Sequence, residues 1–173
     1  MASIDTLNKE PKPMNSAQIN LVQSTFAEIR PVSVVAAELF YARLFELDPA
    51  LRPLFKGDLT HQGRMLLSML GAAVSGLTNI ELLAPIVQRL GAHHIHYGVQ
   101  DEHYATVGTA LLWTLEQCLG KAFTPDVRDA WTTAYALLAD AMQLGAKEAK
   151  ASQRWQLHVD QDSRGLEPFK LAA

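Results

Sequence analysis

His94 follows Leu90 by one turn on a face that also carries Leu83, Ile86 and Val87, so its ring is directed inward. An imidazole turned into an apolar interior does one of two things. It packs as a neutral, hydrogen-bonded core residue, or it offers a lone pair to a metal while an acceptor on its other nitrogen fixes the tautomer. The Leu90 carbonyl, one turn back, is positioned to be that acceptor. His93 and His96 lie close by, at spacings of one, two and three residues within the trio. Two ligands sharing one metal on a helix are usually four residues apart, which argues against a zinc site here. Tyr41, among Leu39, Phe40 and Leu44, reads either as a core tyrosine with its hydroxyl satisfied at an edge or as a donor into a pocket. Gln62 reads as a solvated polar residue or as a pocket amide, with Leu66 walling the same face one turn on.

These side chains need helices to position them. Ile19, Val22, Phe26 and Ile29 recur at helical spacing behind Asn15, a good N-cap. Pro31 ends that helix or bends it into a second one carrying Val35, Leu39, Leu44 and Leu47. Pro49 and Pro53 break the chain into a corner, and a third helix starts near Asp58 or Thr60 and runs to about Leu77. Ala37 and Gly63 are small enough to let the second and third helices cross closely. Thr78-Asn79-Ile80-Glu81 fits a capping box, with Pro85 in the first turn of the next helix and Gly98 in the turn that ends it. Asp101 opens another helix, closed by Gly120, and Thr124-Pro125-Asp126 starts the last, whose stripe is Val127, Trp131, Tyr135, Leu138 and Met142. No segment alternates as a strand does. The expected fold is all-α, with six to seven helices burying their stripes on one another.

The totals bound the function classes. The chain has 173 residues, 49% apolar and 19% charged, enough for one domain with a sizeable core. A formal charge of -3 points away from nucleic acid and from anionic membranes. The longest stretch without charge, Met65 to Ile80, is shorter than the ~18 apolar residues of a membrane span, and no apolar leader precedes it. Cys118 cannot pair internally, fits a reducing compartment, and reads as a packing residue rather than a nucleophile. Residues 1–14 read as a flexible N-terminal segment and 15–150 as the domain. Residues 151–173, with Trp155, Leu166 and Phe169 scattered through them, form a loose tail or a short extra packing element.

Several motifs in register carry a family resemblance. They are Phe40-Tyr41-Ala-Arg-Leu-Phe45, Asp48-Pro49-Ala-Leu-Arg-Pro-Leu-Phe55, Gln62 with Leu66, Leu90-Gly91-Ala92-His93-His94, His103-Tyr104-Ala-Thr-Val-Gly108 and Ala130-Trp131-Thr-Thr-Ala-Tyr135. From about residue 15 to 149 the chain resembles single-domain bacterial globins, similar to the haem domain of flavohaemoglobins, with neuroglobin-like stretches. The resemblance implies a globin fold around a haem pocket, with haem b as cofactor and His94 as proximal iron ligand. It implies Tyr41 and Gln62 as the distal pair that meets bound gas, Leu66 as their apolar neighbour, and Phe55 packing on the haem at the corner. Tyr104 matches a proximal-side tyrosine, and Leu90 and Val99 complete the expected cofactor wall.

What the resemblance implies about activity is reversible binding of O2, and of NO and CO, with high affinity. Donors fixed in a dry pocket stabilise the partial charge on bound O2. NO dioxygenation or O2 supply is the implied role, and a haem-based gas or redox sensor is the alternative. Three departures matter. Ala146 stands where flavohaemoglobins carry a proximal glutamate. No reductase domain follows, so turnover needs an external reductase. The span from Phe55 to Gln62 is seven residues, so a short corner replaces the extra helix that many globins have before the distal one, and His61 there becomes a rival for the iron. The expected setting is cytoplasmic, as a monomer or weak homodimer, with no nucleic-acid or membrane partner.

Overall fold

The computed structural model describes residues 13–165, with side chains to Gln156. The expected flexible segment 1–14 therefore falls almost wholly outside the described residues, as do Leu166 and Phe169. Within them the fold is all-α. Six α-helices, α1 (Ser16–Ile29), α2 (Ser33–Leu47), α3 (Leu59–Gly76), α4 (Ile80–His94), α5 (Asp101–Leu119) and α6 (Pro125–Gly165), are joined by short 3-10 turns.

Local chemistry sets most of the boundaries. Asn15 caps α1, accepting from the Gln18 N–H at 2.9 Å while the Gln18 side chain accepts from the Asn15 N–H at 3.1 Å, a reciprocal box. Pro31 lies in the turn Arg30–Val32, so it bends the chain into α2. Asp58 caps α3 by accepting from the Thr60 N–H at 2.9 Å, and that bond holds its carboxyl below the ordinary carboxylate value. Thr124 caps α6, with Pro125 at its first position.

The start of α4 differs from expectation. Asn79, not Thr78, is the cap, accepting from the Leu82 N–H at 3.4 Å, while the Thr78 hydroxyl turns back to the Ser75 carbonyl. The helix begins at Ile80, so Pro85 lies in its second turn rather than its first. There the proline removes a backbone bond to Glu81 that a first-turn proline would not have cost.

Two apolar clusters hold the helices. One is centred on Trp131, 1% exposed, with Val22, Ile29, Leu77 and Val87. The Trp131 indole donates to the Thr25 hydroxyl at 2.9 Å, tying α6 to α1. Burying side chains of this size stabilises by roughly 1.5–3 kcal/mol each. The other gathers Phe40, Tyr41, Leu44, Leu51 and Ala110 between α2, the corner and α5. Cys118 packs at the margin of the first cluster, and burial pushes its thiol pKa up. The stretch through α3 and α4 is long and apolar enough to cross a membrane by composition alone, but its Leu66, Leu67, Leu70, Val87 and Leu90 face the interior cavity described below.

Helices α4 and α6 cross backbone to backbone. A Cβ on Gly91 would collide with the Met142 carbonyl, and one on Gly145 with the Gln88 carbonyl. Ala146 follows at 6% exposed. Beyond this crossing α6 does not stop. It runs unbroken through residue 150 to Gly165. What ends past residue 150 is burial, because residues 151–156 are all exposed, Trp155 by 70%. Helical backbone bonds are internal and do not need a neighbouring element to propagate.

Candidate functional site

One interior cavity of about 450 Å³ draws its wall from both clusters and from α1 to α6, within the roughly 300–1,000 Å³ usual for ligand sites. Tyr41, Phe55, Gln62, Leu66, Leu90, His94, Val99 and Tyr104 all line it. The structure thus brings every residue expected at the cofactor and gas site to one space.

His94 stands at the last position of α4, and its Nδ1 lies 2.8 Å from the Leu90 carbonyl. A carbonyl only accepts, so Nδ1 carries the proton, and in the neutral ring the lone pair is on Nε2. The ring meets Tyr97 edge-on, with centroids 6.1 Å apart. Gly98, at φ 78°, turns the chain sharply after Tyr97, and the next residue, Val99, is back on the cavity wall. His93, His96 and His61 are exposed and do not line the cavity. No group of three metal-ligating side chains forms among the described residues.

On α2, Tyr41 is 6% exposed and held by rings on three sides. Phe40 and Phe55 meet it edge-on at 5.3 Å each, and Phe45 lies nearly parallel at 5.9 Å. Its hydroxyl has no hydrogen-bond partner among the described residues, and burial raises its pKa, so it keeps its proton as a donor. The close crossing expected of Ala37 and Gly63 is present: a Cβ on Gly63 would lie 2.7 Å from the Ala37 methyl. Gln62 is tied across the short corner, its amide donating to the Lys56 carbonyl at 3.1 Å. Its Oε1 is buried without a partner. One of the two amide hydrogens is therefore committed to the corner, which the sequence did not reveal.

The far wall is closed by hydrogen bonding. Tyr135 on α6 donates to the backbone carbonyl of Tyr104 on α5, and its ring lies over Gly108, where a Cβ would come within 2.5 Å of it. Burial, and then the neighbouring Tyr104, drive the Tyr135 pKa far above the ordinary tyrosine value. Tyr104 is raised by burial and then by Asp101. Ala146, the position of the expected missing carboxylate, is buried but does not line the cavity.

The sequence reading missed four polar wall residues: Tyr97, His103, Thr114 and Tyr135. Tyr135 lies on the apolar stripe of the last helix, and His103 precedes Tyr104 directly. His103 caps α5, its Nδ1 accepting from the Gln100 N–H at 3.1 Å, a role that the run Gln100-Asp-Glu-His103 signals once histidine is admitted at the third position.

A globin family profile matches residues 38–142. This chain belongs to the globin family. It is 34% identical over 131 residues to a flavohemoprotein of Vibrio cholerae, covering 73% of this chain and 33% of the relative. It is 32% identical over 156 residues to a flavohemoprotein of Chromobacterium violaceum, covering 88% and 38%. A neuroglobin of Danio rerio is 34% identical over 140 residues, covering 72% and 87%. The chain thus spans about a third of the length of the flavohemoproteins it matches and most of the length of the neuroglobin.

Membership of this globin family implies haem b as the cofactor and gas binding at it. The residues present fit such a group. The globin's cavity is apolar and of cofactor size, and it holds one imidazole whose tautomer leaves Nε2 unprotonated.

Proposed function

We propose that His94 holds haem b through Nε2, and that the chain reversibly binds O2, and NO and CO, with high affinity on the side of Tyr41 and Gln62. The observation that carries this reading is the His94 Nδ1 bond to the Leu90 carbonyl at 2.8 Å, on the wall of the same apolar cavity as the unpartnered Tyr41 hydroxyl. Bound haem would supply an iron able to take a diatomic gas and to combine O2 with NO as nitrate, chemistry that consumes one electron from a donor. The chain's own residues do the rest. Leu90 fixes the imidazole's proton on Nδ1. Phe55, Leu66, Leu90, Val99 and Tyr104 exclude water and press on a flat apolar ligand. The Tyr41 hydroxyl donates to the gas in a dry setting where such a bond is strong. The remaining Gln62 amide hydrogen is a second donor, steadied by the Lys56 carbonyl.

NO detoxification is the role that this donor set favours, because it retains O2 until NO arrives. The experiment is the optical spectrum of the ferric, ferrous and CO forms, with His94→Ala alongside. A Soret band that weakens or vanishes in the variant, together with fast NO consumption by the O2-loaded protein, is the expected result. Colourless protein that takes up no added hemin would overturn it. One observation favours a second reading, a gas or redox sensor: α6 continues beyond the buried domain with residues 151–156 exposed. Removing 151–173 leaves NO consumption intact on the first reading and severs the output on the second.

A further inference from the structure

A second, smaller cavity of about 280 Å³ opens on the surface between α2 and α3. Its wall is largely apolar, including Val34, Ala42, Phe45 and Leu59, with Glu38 and Arg64 also lining it. Tyr41 is the one residue common to the walls of both cavities. The two spaces therefore meet at a single aromatic ring.

We infer that this groove is the admission route for diatomic gas and that the Tyr41 ring is its door. The inference rests on the gas-binding reading above. A gas bound beside Tyr41 lies against the residue that also walls the groove. The Gln62 wall is latched, because its amide donates to the Lys56 carbonyl at 3.1 Å. The α2–α3 seam is closed where Gly63 meets Ala37, and beside that contact Tyr41 alone separates the two spaces. Gly63 has no side chain there, and a Cβ at that position would already lie 3.8 Å from the Tyr41 ring. Before gas is bound, the Tyr41 hydroxyl has no partner among the described residues, so swinging the ring breaks only its contacts with Phe40, Phe45 and Phe55. An apolar groove suits uncharged O2, NO and CO, which are not held by the Glu38 and Arg64 charges that they pass.

Two plugs test the route. Val34 is 51% exposed and Ala42 is exposed, and both line the groove without lining the main cavity. Val34→Trp and Ala42→Phe fill it from the solvent side. In the haem-loaded protein, CO rebinding after flash photolysis should slow about fivefold, the rate effect of a modest added barrier. CO release should slow by the same factor, leaving affinity unchanged, since a door acts on both directions. Xenon under pressure, which seats in apolar cavities, should occupy the groove in crystals of the unsubstituted protein. A normal CO complex whose rebinding ignores both plugs overturns the inference alone, and so does a groove that takes no xenon. Failure of the unsubstituted protein to form any CO complex overturns the gas-binding reading, and the inference with it.

Discussion

The two walls of the cavity are built on opposite plans. On the His94 side, two polar side chains are tied to carbonyls and backbones touch. His94 is bonded to the Leu90 carbonyl and Tyr135 to the Tyr104 carbonyl, while Gly91 and Gly145 let α4 and α6 meet without side chains between them. On the Tyr41 side, the hydroxyl is free, the packing is ring against ring, and a second cavity lies directly behind. The first wall has no slack and suits holding a cofactor at a fixed place. The second has spare donors and spare room, and suits a ligand that comes and goes. Rigidity is concentrated where geometry must not change and withheld where something must pass.

Alanine at matched glycines puts that contrast to its hardest test. Gly91→Ala drives a methyl into the Met142 backbone, which can yield only if the helices part. Gly63→Ala drives one to 2.7 Å from the Ala37 methyl, which is fixed to α2 and yields only if that crossing opens, though the overlap is with one methyl rather than with backbone. Helix propensity favours alanine by about 1 kcal/mol at both sites. Overpacking should still leave Gly91→Ala about 2–3 kcal/mol less stable in urea unfolding, with weakened haem uptake because the Leu90 carbonyl moves with α4. The net loss in Gly63→Ala should be smaller, about 1–2 kcal/mol. Equal losses at the two sites would mean that the walls do not differ in slack.

Tyr41→Phe comes next in size. It keeps the ring packing and removes the donor, so stability should barely change while gas release accelerates more than tenfold, the equivalent of about 1.5 kcal/mol for a hydrogen bond lost in a dry site. Stopped-flow O2 dissociation measures it. An unchanged rate removes Tyr41 from ligand retention and leaves it only the role of a partition.

Much of this division could be read from residues alone. The helices announced themselves by period and caps, and Asn15, Asp58 and Thr124 act at the ends where their side chains belong. His94 was legible because the Leu90 carbonyl is a local partner, fixed by helix geometry one turn away. What stayed hidden depends on partners distant in sequence or on competition between neighbours. Thr78 and Asn79 are both good caps, and only the path of the chain out of α3 decides between them. The Gln62–Lys56 latch depends on the shape of a corner around Gly57, at φ 120°. Tyr135 reached the site because α6 crosses α5 at Gly108, a pairing that neither segment specifies by itself. The extension of α6 past residue 150 was missed because exposed helix carries no apolar stripe to count.

Tyr135→Phe probes the paired wall with the smallest expected effect and adds a pH signature. The bond to the Tyr104 carbonyl is lost, at a cost of about 1 kcal/mol near neutrality. Burial holds the Tyr135 phenol above its ordinary value of 10.0, so the folded state keeps a proton that the unfolded chain releases. Stability from that group is complete below the unfolded value and declines as pH climbs past it, at up to roughly 1.4 kcal/mol per pH unit. Tyr104 and Tyr41 pull in the same direction. The phenylalanine variant has no proton to lose at this position, so its stability should fall less steeply above pH 10.0. The gap to the unsubstituted protein should then narrow or reverse in alkaline urea titrations. Parallel curves would mean that the phenol ionises as readily folded as unfolded, and that the wall beside it is wetter than its packing indicates.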